Sequence, residues 1–370
     1  MGKLVENLQS ELNVRKSKDE LRQLFNDKNL IDFITNDYLG FSGLIHVESS
    51  LDKNSPSASR LLGGNNDMIL ELEASIASFH GYEAALFYTS GYAANSGLFS
   101  CLLTRHDTYI YDEQIHASIR DGIRLSLASS FSFKHNDLSD LQEKIKNAKG
   151  NVVVVTEAVF SMEGDTAPLT ELVRICKENN CDIIVDEAHS IGLFGNEGRG
   201  LVHQLNLTND VFAVVYTYGK AMGAHGGAIA GSKVLRDYLV NFSRPFIYTT
   251  APSFHQVMAV KTAYSLLASP IYDQQLRLLK KNVAVFEETI QQVLKWHSFK
   301  ASHINGLKTV NKETTIQVAA KLRENGYNCR PVLSPTVAPG DERIRVNIHA
   351  YNTIVQIQDF IHLYANLVKS

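Results

Sequence analysis

The sequence predicts an α/β protein, a mostly parallel central sheet covered by helices and followed by a smaller C-terminal α+β domain. Three observations lead there. From about residue 67, short apolar, β-branched runs alternate with amphipathic helical stretches, the pattern of buried strands joined by crossover helices. After about residue 255 the texture changes to two helical stretches followed by shorter elements. At 370 residues the chain is also long for one compact core, so two domains are expected. The expected division is an N-terminal helical or extended arm over 1–40, a large domain over 41–265 and a small α+β domain over 266–370.

Residues 1 to about 30 carry Leu4, Leu8 and Leu12, then Leu21, Leu24 and Phe25, among many charges, which predicts helix. IDFITNDYLGF, from Ile31, predicts an extended piece, and residues 42–60 are polar with little pattern. MILELEASIASFHG predicts an amphipathic helix ended by Gly81. AALFYTS (84–90), TYIYDE (108–113), NVVVVTEA (151–158), DIIVDEAH (182–189) and FAVVYTY (212–218) predict buried strands. LTELVRICKENN, between two of them, predicts a helix, as do 255–268 and 271–296.

The bulk composition narrows the function. Apolar residues make up 44% and charged residues 20%, as in ordinary soluble proteins. A net charge of −3 gives no reason to expect nucleic acid or an anionic membrane as partner. No apolar run approaches the roughly 20 residues that span a bilayer. The polar, periodic N-terminus does not fit a secretory signal, and Glu6 stands where a myristoylation pattern needs Ser or Thr. Cys101, Cys176, Cys181 and Cys329 are scattered and fit neither a zinc site nor a disulfide framework. A reduced, cytoplasmic setting is expected.

In a parallel sheet, ligands gather at the carboxyl ends of the strands. Polar, reactive residues stand there in this sequence: Ser90-Gly91-Tyr92, Asp112 and His116, Glu157 to Asp165, Asp186 to Ser190, and Thr217 to Lys220. Asp186 ends an apolar run, and a buried carboxylate needs a cation or several donors. A protonated pyridine nitrogen is such a cation; a helix cap is the plainer reading. His189, three residues on, suits a ring hydroxyl, or simply packs. Lys220, among small residues after a strand, suits imine formation, or is a surface lysine. The turn at Gly91 opens a helix whose free N–H groups suit a phosphate, and Thr217 offers it a hydroxyl. His116 suits stacking on an aromatic ring, and Ser161 suits donation to a ring oxygen or merely shapes a turn.

EAVFSMEGD, VDEAHSIGLFGNEGRG and TYGKAMGAHGGAIAG, in this order, resemble the α-oxoamine synthases, pyridoxal-5′-phosphate (PLP) enzymes of the type I aminotransferase fold. The resemblance runs from NDYLGF near 36 to GDERIRVNIHA near 350. It implies that the large domain binds PLP and that an amino acid is joined to an acyl thioester with loss of carbon dioxide. The wording of DEAHS…GRGLV and GKAMGAHGGA is nearest to the branch that condenses L-alanine with pimeloyl-CoA or a pimeloyl carrier protein in biotin synthesis.

By this resemblance Lys220 matches the Schiff-base lysine, Asp186 the pyridinium partner, His189 the ring-hydroxyl ligand and His116 the stacking histidine. Gly91 and Tyr92 match the phosphate-side turn, and Ser161 and Thr217 the two cofactor hydroxyls. Asn36 and Arg345 match residues linked to the amino-acid carboxylate, while Arg22 and Thr336 match substrate contacts. Thr249 or Thr250 matches a threonine that reaches the neighbouring subunit's phosphate, which implies a homodimer. The chain departs from the pattern in SPSASR, where the family carries GSGGSR, and at Leu333 and Ser334, where biotin-pathway members carry arginine and proline. Another oxoamine synthase, a PLP aminotransferase or lyase, and a catalytically dead subunit are the alternatives; the joint presence of Lys220, Asp186, His116 and His189 opposes the last.

Overall fold

The computed structural model describes residues 2–369 except 19, 25, 28, 48–53 and 335. It divides into two compact units: Asn36–Lys280 with His349–Tyr351, and Met1–Thr35 with Lys281–Ile348 and Asn352–Ser370. Strands are numbered along the chain, β1 being the short Ile31–Asp32 of the second unit.

The first unit is built on a seven-stranded sheet. Its strands are β2 (Ala84–Tyr88), β3 (Thr108–Asp112), β4 (Ser129–Phe133), β5 (Val152–Glu157), β6 (Asp182–Asp186), β7 (Ala213–Thr217) and β8 (Gly227–Gly231). They lie in the order β2-β8-β7-β6-β5-β3-β4. Pairing is parallel throughout except at β8, which runs antiparallel to both β2 and β7. Tyr88, Asp112, Phe133, Glu157, Asp186 and Thr217 therefore all stand at one edge. The apolar runs fill the sheet interior: Val154, Val155, Ile184, Val185, Val214 and Val215 are completely buried. Each such side chain contributes roughly 1.5–3 kcal/mol by leaving water.

The five expected strands are present, each slightly shorter than its apolar run. Two strands carry no such run. β4 reads SSFSF and buries only Phe133, as an edge strand can. β8 reads GAIAG, and Gly227 is a steric requirement: a Cβ there would lie 2.7 Å from the Gly91 Cα. The helix Asp67–His80 starts at Asn66, whose side chain accepts from the Ile69 N–H, and ends at Gly81 in the left-handed region (φ 79°).

The second unit holds the antiparallel sheet β11 (Arg330–Val332), β12 (Arg343–Asn347) and β9 (Ile304–Lys308), in that order. β1 pairs in parallel with β10 (Tyr327–Asn328). Phe33 packs on Phe360 with ring centroids 4.7 Å apart, and Tyr327 meets the same ring edge-on. The helices Phe254–Leu267 and Pro270–Leu294 match the expected pair.

One expectation fails. The N-terminal helix covers Lys3–Ser17 and does not continue toward residue 30. Leu21 and Leu24 are exposed and lie outside any helix. Instead Asp27 is drawn into ion pairs with Arg323 and Arg330, long-range partners that replace contacts along a helix. Among the described residues no helix is long and apolar enough to cross a membrane.

Candidate active site

The first unit brings most of the expected residues to the carboxyl edge of its sheet. Lys220 follows β7, and its Nζ lies 2.8 Å from His189 Nε2. His189 Nδ1 lies 2.8 Å from the Tyr38 hydroxyl, which donates to Asn36 Oδ1 at 3.1 Å. A continuous chain of polar contacts thus runs Lys220–His189–Tyr38–Asn36. His189 is only 3% exposed, while Lys220 and Asn36 are half-buried.

A second chain starts from Asp186, the last residue of β6. Its Oδ2 accepts from Asn95 Nδ2 at 2.7 Å and its Oδ1 from the Ala188 N–H at 2.8 Å. Asn95 Nδ2 also donates to Ser118 Oγ at 3.0 Å, and Ser118 Oγ meets His116 Nδ1 at 2.8 Å. The Ser118 N–H donates to the same His116 nitrogen, so the neutral imidazole carries its proton on Nε2. His116 caps the helix Ala117–Leu125 and is itself exposed. The protein packed behind the ring, and then the charge of Lys220, lower its pKa.

Glu157, at the end of β5, is another buried acid of this edge. Its Oε1 accepts the His116 N–H at 2.5 Å. Burial first, then the negative charge of Asp186, raise its pKa to about 8, against the pull of Lys220 and of the His116 N–H. Glu187 is different in kind: it accepts from Ser190 Oγ and from the Leu201 and Val202 N–H groups, tying the DEAHS turn to the GRGLV segment.

On the other side of Lys220, Ser90 caps the helix Gly91–Cys101 by accepting from the Ala93 N–H. Gly91 is required there, since a Cβ would overlap Thr217 Oγ1 and lie 3.0 Å from its Cβ and Cγ2. Tyr92 is exposed, and its hydroxyl donates to Asp121. Ser161 is half-buried in the turn after β5. Thr250 forms an isolated antiparallel bridge with Ser59, and Thr249 precedes it, half-buried. Arg345 on β12, Thr336 in the turn that its N–H closes on the Leu333 carbonyl, and exposed Arg22 belong to the second unit.

The residues present fit PLP. A helix N-terminus that opens on Gly91, with Thr217 beside it, suits a phosphate. A nearly dry carboxylate held by two neutral donors suits a pyridinium as its cation. The structure adds three residues that reading the sequence did not single out, Tyr38, Asn95 and Ser118, and shows how Glu157, already expected at this edge, is held. Asn95 stands one helical turn after Gly91, and Ser118 two residues after His116, so spacing from the named residues is the signal that could have found them.

The chain matches the family model "Aminotransferase class I and II" over residues 28–362. It is 33% identical to the 8-amino-7-oxononanoate synthase of Emericella nidulans, covering 92% of this chain and 89% of that one. It is 34% identical to the enzyme of the same name from Thermosipho melanesiensis, covering 88% and 85%. Among solved structures, the 8-amino-7-oxononanoate synthase of Francisella tularensis superposes with a TM-score of 0.79 at 30% identity, covering 93% and 99%. The serine palmitoyltransferase of S. paucimobilis superposes with a TM-score of 0.86 at 24% identity, covering 100% and 99%, which shows the shared fold. With the type I fold, the glycine-lined helix start and the Lys220–His189 and Asp186–Asn95 contacts on one sheet edge, the chain belongs to the class I and II aminotransferase family and, within it, to the α-oxoamine synthases.

Proposed function

We propose that the protein is a PLP-dependent acyltransferase that condenses L-alanine with a pimeloyl thioester, of CoA or a carrier protein, to give 8-amino-7-oxononanoate for biotin synthesis in the cytoplasm. The observation that carries this reading is near-full-length identity of 33–34% to synthases of that name, joined to a sheet edge bearing Lys220, Asp186, His189 and His116. When bound, PLP would supply an electron sink for the charge left at the α-carbon of the amino acid. Lys220 would anchor it and then move the α-proton, the neutral amine being the base. Asp186, held by Asn95 and Ala188, would keep the ring nitrogen protonated, and His189 would face the ring hydroxyl. His116 would cover the ring, and its Nε2–H is available to an oxygen on which charge develops.

The N–H groups of Gly91 and Tyr92 and the hydroxyl of Thr217 would hold the phosphate, with Ser161 at the ring oxygen. Asn36 and Arg345 would take the amino-acid carboxylate, and Arg22 and Thr336 further substrate groups. Thr249 or Thr250 would reach the phosphate of a second subunit, so the working form is a homodimer. Leu333 and Ser334, standing where biotin-pathway members carry arginine and proline, favour one second reading, an oxoamine synthase with a different acyl donor.

A matrix of alanine, glycine and serine against acetyl-, succinyl-, pimeloyl- and palmitoyl-CoA, reading free thiol and carbon dioxide, separates these. Alanine with the pimeloyl thioester should win, and both products should require both substrates. A win for glycine with acetyl-CoA would overturn the substrate assignment, and amino transfer without thiol release would overturn the reaction class.

A further inference from the structure

We propose that His135 is a positioning residue for this site: braced between Asp112 and Asp165, it fixes the turn Phe160–Asp165 that presents Ser161. The effect on cofactor rests on the function proposed above; the effect on the turn does not. His135 Nδ1 lies 3.0 and 3.1 Å from the two oxygens of Asp112, and Nε2 lies 2.8 Å from Asp165 Oδ2. A ring with a carboxylate at each nitrogen must donate from both, so the ring is an imidazolium. Asp112, at the end of β3, is completely buried and also accepts from the N–H groups of Gln114 and Asn136. It is the fixed end of the strut.

Asp165 is the movable end. The turn closes on itself through Phe160 N–H to the Asp165 carbonyl and Gly164 N–H to the Phe160 carbonyl, both at 2.9 Å. Asn136 Nδ2 adds a bond to Asp165 Oδ2 at 2.9 Å, and the Phe160 ring meets His135 edge-on at 4.4 Å. Ser161 is the second residue of this turn, so a shift of Asp165 moves it without any contact from His135. The charged groups around the ring are Asp112 and Asp165, with Glu113 accepting the His135 N–H at 3.2 Å. Asp140, on the helix Leu138–Lys146, accepts the N–H of neighbouring Lys134. All are acids. Hydrogen bonds and charge from Asp112 and Asp165 outweigh burial and raise the histidine pKa to about 9. The folded pKa lies above the ordinary value of 6.5, so the strut is complete at and below neutral pH and is lost as pH rises through about 9.

His135→Gln and Asp165→Asn test this, the second sparing the buried Asp112 contact in case the first fails to fold. In the cofactor-free chain, hydrogen exchange at the Phe160 and Gly164 amides should quicken about tenfold or more in both variants, while amides of β3 and β5 keep their rates. PLP affinity, read by absorbance from pH 6 to 10, should fall by a similar factor. The wild-type chain should lose affinity near pH 9 more steeply than either variant. Unchanged exchange in the turn, or an alkaline profile identical to wild type, would overturn the proposal. Should His135→Gln unfold, Asp165→Asn decides alone. A wild-type chain that takes no PLP at any pH would sink the proposed function, and the exchange rates would still decide the role of His135.

Discussion

Gly91→Ala adds one methyl group in space that Thr217 already fills. The new Cβ would overlap Thr217 Oγ1 and lie 3.0 Å from Thr217 Cβ and Cγ2. Rotating the threonine side chain moves its Oγ1 but leaves its own Cβ in place, so the backbone must also yield. It is confined on the far side, where Gly227 pairs with both Tyr88 and Thr217 and its missing Cβ leaves room for Gly91. Overpacking of this kind costs about 1–3 kcal/mol. Alanine is the better helix former, but by at most about 1 kcal/mol in a helix interior, so the clash wins. A net loss of about 1–2 kcal/mol lowers Tm by roughly 2–8 °C in a domain of this size.

The assay is thermal unfolding of the cofactor-free chain, with PLP titration beside it. Affinity should fall as well, since Thr217 is displaced from its place beside the helix start. Gly91→Ala/Thr217→Ala removes Oγ1 and Cγ2 and should recover about half or more of the lost stability, a coupling within the range of contacting residues. It should not recover affinity, because the hydroxyl is gone. An unchanged Tm for Gly91→Ala, or strict additivity in the double variant, would refute the steric account.

Arg60 donates to both oxygens of Glu73 at 2.7 and 3.0 Å, each side chain is 5% exposed, and Glu73 also accepts the Phe87 N–H. Arg60→Met strands that carboxylate and should cost about 3–5 kcal/mol by denaturant melting, whereas Arg60→Met/Glu73→Gln should recover part of it. Glu157 has a folded pKa of about 8 against an ordinary 4.5, so the folded chain keeps a proton that the unfolded chain releases. Stability should therefore decline as pH rises between those values. Glu157→Gln should match wild type near pH 4 and be the more stable chain at pH 8; equal melting at both pH values would contradict the assignment of that proton.

The strands were legible where both faces are buried, because Val153–Val155 and Ile183–Val185 leave no polar position to interrupt the run. β4 was not, since an edge strand with Ser129, Ser130 and Ser132 exposed carries no apolar signal, and β8 was not, since Gly227 answers to the Gly91 backbone rather than to strand propensity. Lys220, Asp186, His189 and His116 were legible for one reason: each follows an apolar run, and parallel strands bring such positions to one edge. Leu21 and Leu24 misled because helical spacing by itself does not make a helix: both are exposed and outside any helix, and the ion pairs of Asp27 nearby span some three hundred positions.

What the sequence leaves silent is how each acid at that edge is held, and this decides what the acid can do. Asp186 is met by an amide and a backbone N–H, neutral donors that leave its charge available to a cationic ring nitrogen. Glu157, with one backbone N–H and the field of Asp186, is pushed toward keeping its proton, which lowers the negative charge competing for Lys220. Asp112 is matched by His135 and so is occupied in holding a turn. Three carboxylates end three neighbouring strands and read alike in the sequence. Only the donor opposite each one, supplied by Asn95, His116 or His135 from another element, separates a carboxylate open to a cation from one that keeps its proton and from one held by an imidazolium.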